Sequence, residues 1–518
     1  MTARGSLLGG PAVVVGMAVW LMVLGAAAAA ADLPDVTVDE AVLDEVDDYL
    51  ERQRQEHGWP GLAAALVSDG EVAWSAGYGT TGPDRRPVTP QTPFLLASVS
   101  KSLTAIAVMR LVDAGVIALE DPVSDYVPEL GPNGDGVTLR DLMVHRSGLA
   151  EALDLEDMAG DPEASLDTDL DRVGAGLRED PEFAYTNANY DTLALVVERA
   201  AKRPFGDVLR TEVFGPLDMG VATTEPATAR EAGLADGHYH WLLAGYRPNV
   251  PPLPDSTVGS YRMFASAEDV AHTLVMHVSD GYYDGAQVLS PESLSVLHTG
   301  EPVAPDADAR YGGGLLIYPP GSAWMSGPSA AYPFLEHDGS AMAYRSYVWL
   351  MPDLGLGLVL LANANDWSDE SRLPQVGFNV RQILLDEEVT PVTSRSEPLR
   401  RWAKHLFALL ALAQLAVTLA AVRPVRRMRS GRDTGRGGRV LIVAAAALSL
   451  FSLYALVRLI PAVADAPLRV VVAQAPDARV IVAVMVATTC LAVVLAIVWL
   501  ASLRATRPAD TSDPVVHG

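Results

Sequence analysis

From residue 38 onward the apolar positions fall into periods that name successive elements. Val42, Leu43, Val46 and Leu50 recur at helical spacing, which predicts an amphipathic, acidic helix over 38–57. The apolar run 61–67, the turn Ser68-Asp69-Gly70 and the alternating stretch 71–78 together predict a β-hairpin. Leu103, Ile106, Ala107, Met109 and Leu111 predict a helix over 98–114 that stops at Gly115. Helical patterns return over 190–201 and 266–278. Three strand-like runs follow at 314–318, 344–351 and 355–362, the last two joined by Pro352-Asp353-Leu354. Residues 150–182 are acidic and weakly patterned, so loops and short helices are expected there. Residues 225–258, rich in Pro, Gly and Thr, are expected to wander over the surface.

The two ends are patterned differently. Residues 1–31 carry an early arginine, an apolar run and an alanine tract ending at Ala31, which reads as a signal peptide or, uncleaved, a membrane anchor. Near the other end, three apolar runs at about 405–422, 440–463 and 479–503 each approach the ~20 residues needed to cross a bilayer. The loop 423–439 holds seven arginines and one aspartate, and short arginine-rich loops stay cytoplasmic. Arg400, Arg401 and Lys404 pull more weakly the other way. The expected topology places 32–400 outside, 423–439 inside, 464–478 outside and the tail 504–518 in the cytoplasm. The chain is therefore expected in the cell membrane, multi-pass, with its globular part (32–395) extracytoplasmic.

Charge divides the chain in the same way. Residues 1–400 carry 59 acidic and 24 basic side chains, a net of −35; residues 401–518 carry 5 and 14, a net of +9. An acidic globular part does not bind nucleic acid, which needs the opposite sign. The single cysteine, Cys490, excludes an intrachain disulfide and a cysteine-based metal cluster. Only three of the 38 basic residues are lysines (Lys101, Lys202 and Lys404), so arginine supplies ordinary positive charge here. A lysine at a chemical site is then informative, because lysine releases its proton in proteins and arginine does not.

Three short constellations carry candidate chemistry. Ser98-Val-Ser-Lys101 opens the helix at 98–114, and positions i and i+3 share a helix face. An amine beside a hydroxyl is an activating base, and an N–H at a helix start is free to face an oxyanion. Tyr185-Thr-Asn187 offers a phenol for proton relay and an amide for orienting a substrate. His337-Asp-Gly339-Ser340 offers a histidine, a glycine that admits a close approach, and the Ser340 N–H as a second oxyanion donor. Taken singly, each also fits a structural role: a helix cap with a surface lysine, a capped turn with a packed tyrosine, and a bulge with a surface histidine. His145 is read as structural. Gly77-Tyr-Gly-Thr-Thr-Gly82 runs into Pro83 instead of a helix, so no nucleotide loop is expected. His238-Tyr-His240 lacks helical metal spacing and is read as a surface turn.

In this order the three constellations resemble those of the serine β-lactamase and penicillin-binding-protein family, in which S-x-x-K is a known motif. The closest fit is its class C-like branch of D-aminopeptidases, esterases and related hydrolases, peptidase family S12. Matching stretches include Pro93-Phe-Leu-Leu-Ala-Ser98, Thr138 through Leu149, Tyr185 through Glu198 and Ser266-Ala-Glu-Asp269. The resemblance spans about 40–385 and implies an α+β fold: a five-stranded antiparallel sheet flanked by helices, plus a helical subdomain, followed here by the three-helix transmembrane segment. It implies that Ser98 forms an acyl-enzyme, that Lys101 and Tyr185 handle its proton, and that Asn187, His337, Gly339 and Ser340 bind substrate, with the Ser98 and Ser340 N–H groups as oxyanion hole. No metal or organic cofactor is implied. The partner implied is a small-molecule or peptide substrate, with cell-wall-derived or D-amino-acid-containing substrates among the candidates; the lipid bilayer is expected as a partner from the three apolar runs. Alternatives are a penicillin-binding D,D-carboxypeptidase or β-lactamase and, from another class, a non-catalytic sensor module. Ala343 and Val258-Gly-Ser-Tyr261 depart from the family pattern, and His337 in place of lysine removes a fixed cation near neutral pH.

Overall fold

The structure, a computed structural model, describes residue 36, residues 38–149 and residues 182–505, with short breaks between 243 and 256, at 306 and 324, over 366–370 and 393–397, and between 431 and 474. The expected signal peptide, the acidic stretch 150–181 and the tail from 506 lie outside the described residues.

The chain opens with α1 (Glu40–His57), whose first turn is capped by Asp39 accepting from the Val42 N–H and whose end is closed by Gly58 at φ 68°. The hairpin β1 (Gly61–Ser68) and β2 (Glu71–Gly79) follows, then α2 (Ser100–Asp113) and α3 (Asn187–Ala201). A second hairpin, β3 (His238–Trp241) and β4 (Gly245–Pro248), precedes α4 (Ala267–Val278). The remaining strands are β5 (Glu301–Pro302), β6 (Arg310–Gly312), β7 (Leu315–Tyr318), β8 (Phe334–Ala341), β9 (Tyr344–Met351), β10 (Leu356–Ala362) and β11 (Ala364–Asn365), closed by α5 (Arg372–Leu384).

One antiparallel sheet runs in the order β2-β1-β10-β9-β8-β7-β6-β5. The expected five strands are its long part, β2 through β8; three short strands extend it at the β8 edge, of which β7 is the strand-like run expected at 314–318 and β6 and β5 carry no pattern in the sequence. β1 is buried on both faces, and its alternation sorts two cores. Ala63, Ala65 and Val67 face α2 and α4 with Leu103, Ile106 and Leu274, whereas Leu62, Ala64 and Leu66 face α1 and α5 with Val46, Leu50, Val376 and Val380. A two-sided sheet of this kind reads as continuous apolar runs, which is how β1, β9 and β10 appear in the sequence.

Three expectations need correction. α3 begins at Asn187, three residues early, because Thr186 adopts an extended conformation and accepts from the Ala188 N–H as N-cap. Residues 225–258 do not only wander: they hold the helix Pro226–Glu231 and the β3–β4 hairpin. His238-Tyr-His240 is a strand and not a surface turn, with His238 and Tyr239 buried. Its partner in parallel pairing, β11, lies more than a hundred residues downstream, so no local pattern marks it.

After α5, three helices are long and apolar enough to cross a membrane: Trp402–Arg429 within α6 (Pro398–Arg429), Gly435–Val463 beginning as α7 (Gly435–Tyr454), and Pro476–Ser502 within α8 (Pro476–Ala505). They pack together through two aliphatic clusters, with Leu456, Ile460 and Met485 in one and Val425, Ile442 and Leu495 in the other, and through a polar contact between them. The buried Gln414 of α6 donates to Thr489 Oγ1 of α8 (2.8 Å) and Ser449 Oγ of α7 (3.3 Å), the kind of interhelical hydrogen bond that lipid does not replace.

Candidate active site

Ser98 sits in a 3-10 turn, Ala97–Val99, that runs directly into α2. Ala97, immediately before it, has φ 49°, a left-handed conformation that costs a non-glycine residue about 1–2 kcal/mol. Neighbours hold the turn there. The Leu96 N–H donates to Met263 O (2.9 Å), and Leu96 O accepts from Ser346 Oγ of β9 (2.5 Å). Gly339 of β8 packs against the same point: a Cβ there would run into Leu96 O and Ser346 Oγ. Glycine at 339 is therefore what lets the Ser98 turn lie against the sheet.

One helical turn on, Lys101 is fully buried. Its Nζ lies 3.1 Å from Ser98 Oγ, 2.6 Å from Asn187 Oδ1 and 3.1 Å from Ser260 O. The same Nζ stands 4.8 Å from the centre of the Tyr185 ring. The first and second constellations thus meet at one amine, across two helix starts. Three of the expected residues, Ser98, Tyr185 and Asn187, remain partly open to solvent around it.

His337 lies mid-strand in β8, opposite Val348, and not in a bulge. Its Nδ1 is 2.7 Å from Asp338 O, which only accepts, so Nδ1 carries a proton; its Nε2 is 3.2 Å from the Tyr311 hydroxyl of β6. Burial pushes its pKa down to about 4; Lys101 adds to this, while Asp338 opposes it. The Asp338 carboxylate is itself paired with Arg345 (2.8 Å). Ser340, two residues on, accepts from Asn365 Nδ2 (3.2 Å).

The sequence reading missed Ser260, Asp191 and Tyr311. Asp191, one turn after Asn187 on α3, accepts from the Gly259 and Ser260 N–H groups (3.1 and 2.9 Å) and from Ser260 Oγ (2.9 Å), which fixes the loop carbonyl on Lys101. Gly259 is required because a Cβ would strike Tyr190 O. The departure Val258-Gly-Ser-Tyr261 is thus part of the lysine's cradle. Asp191 was the findable member, an acid at i+4 from Asn187. Buried His145 is structural as expected: its Nδ1 accepts from the Thr186 N–H (3.3 Å) and Asn189 Nδ2 (2.8 Å), and burial holds its pKa well below the usual histidine range. Its ring packs against Tyr185 and Tyr311, with centroids 4.5 and 4.6 Å apart. Among the described residues no group of three or more His, Cys, Asp or Glu side chains is placed to hold a metal ion.

A serine and a lysine at one helix start, a Tyr-x-Asn at another and the His-x-Gly of the inner strand β8 beside them, on a sheet covered by helices, define the class of the serine β-lactamases and penicillin-binding proteins. The family model described as Beta-lactamase matches residues 46–380, and the chain belongs to that family, whose members are serine hydrolases. Penicillin-binding protein 4 of Amycolatopsis lactamdurans is 31% identical over 324 residues, 60% of this chain and 82% of that protein. Protein flp of Staphylococcus aureus (strain MW2) is 27% identical over 334 residues, 62% of this chain; the match spans only 63% of that protein's length. Among solved structures, the octameric penicillin-binding protein homologue from Pyrococcus abyssi superposes with a TM-score of 0.58 at 22% identity, over 71% of this chain and 81% of that one. A class C β-lactamase from Rhodobacter sphaeroides gives 0.55 at 22% identity, over 66% and 99%. These likenesses show the fold.

Proposed function

We propose that the protein is an exported, membrane-anchored serine hydrolase that cleaves an amide or ester bond through an acyl-enzyme at Ser98. The observation that carries this is the geometry around Lys101 Nζ. Asn187 Oδ1 and Ser260 O can only accept. As a neutral amine, Nζ donates to oxygens of this kind and, 3.1 Å from Ser98 Oγ, can present its lone pair to that hydroxyl. In that form Lys101 is the base: the Ser98 proton passes to Nζ as Oγ bonds to the substrate carbonyl carbon. The Ser98 and Ser340 N–H groups hold the oxyanion. The proton passes by way of Tyr185 to the departing nitrogen or oxygen, and water then releases the acyl group by the reverse path. Asn187 orients the substrate, and His337 and Gly339 line its far side. The apolar helices at 405–422, 440–463 and 479–503 anchor the hydrolase domain (32–395) outside the cell after removal of residues 1–31.

A fluorophosphonate probe tests this. The full-length protein is expected to label at one site, and Ser98→Ala to abolish labelling. Ser98→Ala is also expected to lower turnover of a short-chain ester by at least ~10³-fold. Unchanged labelling in Ser98→Ala, with the variant folded by circular dichroism, contradicts the assignment.

A further inference from the structure

The second of the three lysines to be buried, Lys404, lies in the first turns of α6 and is only 7% exposed; Asp477, at the start of α8, is 4% exposed. They form an ion pair at 3.7 Å. Neither is spent on holding the two helices together alone, because both also grip the hydrolase domain at β3. Lys404 Nζ donates to His240 O (3.1 Å) and stands 4.7 Å over the Tyr239 ring. Asp477 Oδ2 accepts from the Leu242 N–H (3.0 Å), and Oδ1 from the Tyr239 hydroxyl (3.4 Å). A buried pair is stable when its remaining valences are filled in this way, and it then fixes how two bodies meet.

The contact has a defined height. Trp402 is 61% exposed and Leu406 and Leu409 follow on the outer face of α6, the pattern of an aromatic anchor at the membrane surface with lipid below it. Lys404 lies between them, so β3 rests at the bilayer surface. From β3 the path to the site is short. β3 pairs with β11, Tyr239 opposite Asn365, and Asn365 Nδ2 donates to Ser340 Oγ (3.2 Å) and to Ala341 O. With neighbouring strands ~4.8 Å apart, Ser340 stands within roughly 10–15 Å of the end of the bundle.

Resting on the hydrolase reading above, we propose that the substrate resides in the membrane: an ester or amide carried on a lipid in the leaflet beneath the hydrolase domain. The bundle is then part of the site's geometry. Lys404, Asp477 and Tyr239 are positioning residues that hold Ser98 and Ser340 toward that leaflet. The chemistry is ordinary hydrolysis: the C–O or C–N bond breaks, Ser98 keeps the acyl group until water takes it, and the alcohol or amine leaves with a proton. This gives the three helices a use that a single anchor would not serve.

The test compares two esters with one scissile bond, using full-length protein in phosphatidylcholine nanodiscs: a long-chain fluorogenic ester embedded in the disc and its short-chain soluble counterpart. The wild type is expected to favour the embedded ester at least tenfold in kcat/KM. Asp477→Asn and Lys404→Met are expected to raise KM for the embedded ester tenfold or more, leaving kcat, soluble-ester turnover and fluorophosphonate labelling within twofold. Tyr239→Phe, which removes one hydroxyl, is expected to show a smaller shift of the same kind and serves if the charge variants fail to fold. Equal preference for the two esters in the wild type, or equal loss on both in the variants, overturns the proposal while leaving the hydrolase intact. No labelling and no turnover of either ester by the folded wild type overturns the hydrolase reading and this one with it.

Discussion

At the scale of single residues, His337 shows best how environment decides chemistry. Its protonated Nδ1 faces a backbone carbonyl, its Nε2 a tyrosine hydroxyl, and burial holds its pKa near 4. His337 itself therefore supplies no charge to the third motif at neutral pH. The same depression has a thermodynamic consequence. An unfolded histidine titrates near 6.5, so between about pH 6.5 and 4 the unfolded chain binds a proton that the folded chain refuses. Stability contributed by neutral His337 is present above pH 6.5, declines as pH falls, and is fully lost by about 4. His298 is depressed likewise to about 4, and buried His145 and His277 well below the usual range, all by burial first, so they act in the same direction. The melting temperature is expected to fall from pH 6.5 to 4, and His337→Gln to fall less steeply; parallel slopes would remove His337 from the account. The histidine's loss of charge was legible in the sequence. The hydroxyl that faces its Nε2 was not, because Tyr311 lies 26 residues away on a strand of three residues. Lys101 was legible through its rarity, but its cradle was not: Ser260 offers a backbone carbonyl, which no side-chain motif records, from 159 residues downstream.

At the scale of elements, the site is a meeting of ends: the starts of α2 and α3, the loop 257–261 and the middle of β8. Pattern found α1, α3, α4 and β2 from a recurring apolar face and α2, β1, β7, β9 and β10 from apolar runs. It missed β3, β5, β6 and β11, which are two to four residues long and owe their conformation to partners far along the chain. β8 shows what the long strands do for the site. Its Gly339 admits the Leu96 carbonyl, and that carbonyl is tied to Ser346 of the next strand, so neither neighbour can retreat from an added methyl without moving the turn that carries Ser98. Gly339→Ala is expected to cost about 1–3 kcal/mol by overpacking, readable in chemical denaturation. Turnover is expected to fall by about 10²-fold, since a displacement near 1 Å has that effect on an aligned nucleophile. Loss of stability with unchanged turnover would mean that the turn does not follow the glycine.

At the scale of the whole molecule, the sequence divided the chain into an acidic globular part and a basic apolar one, and the contact between them was the part it did not disclose. Lys404 counted there as a positive charge on the outer side, opposing the orientation set by the seven arginines of 423–439. In the structure its charge is matched by Asp477, and Arg479, at the same end of the bundle, donates from Nε to Val472 O (2.6 Å). With Lys404 paired, the seven arginines of the 423–439 loop weigh more in the balance, and positive residues bias a short loop toward the cytoplasm. The expected orientation, with that loop in the cytoplasm, is open to direct measurement. A green fluorescent reporter inserted after Ser430 is expected to fluoresce, and alkaline phosphatase at the same position to be inactive. The same phosphatase inserted after Arg479, on the opposite side of the bundle, is expected to be active. The reverse pattern would turn the bundle over and carry Ser98 to the cytoplasmic side with it, because Lys404 and Asp477 bind β3 to the end of the bundle remote from the arginine loop.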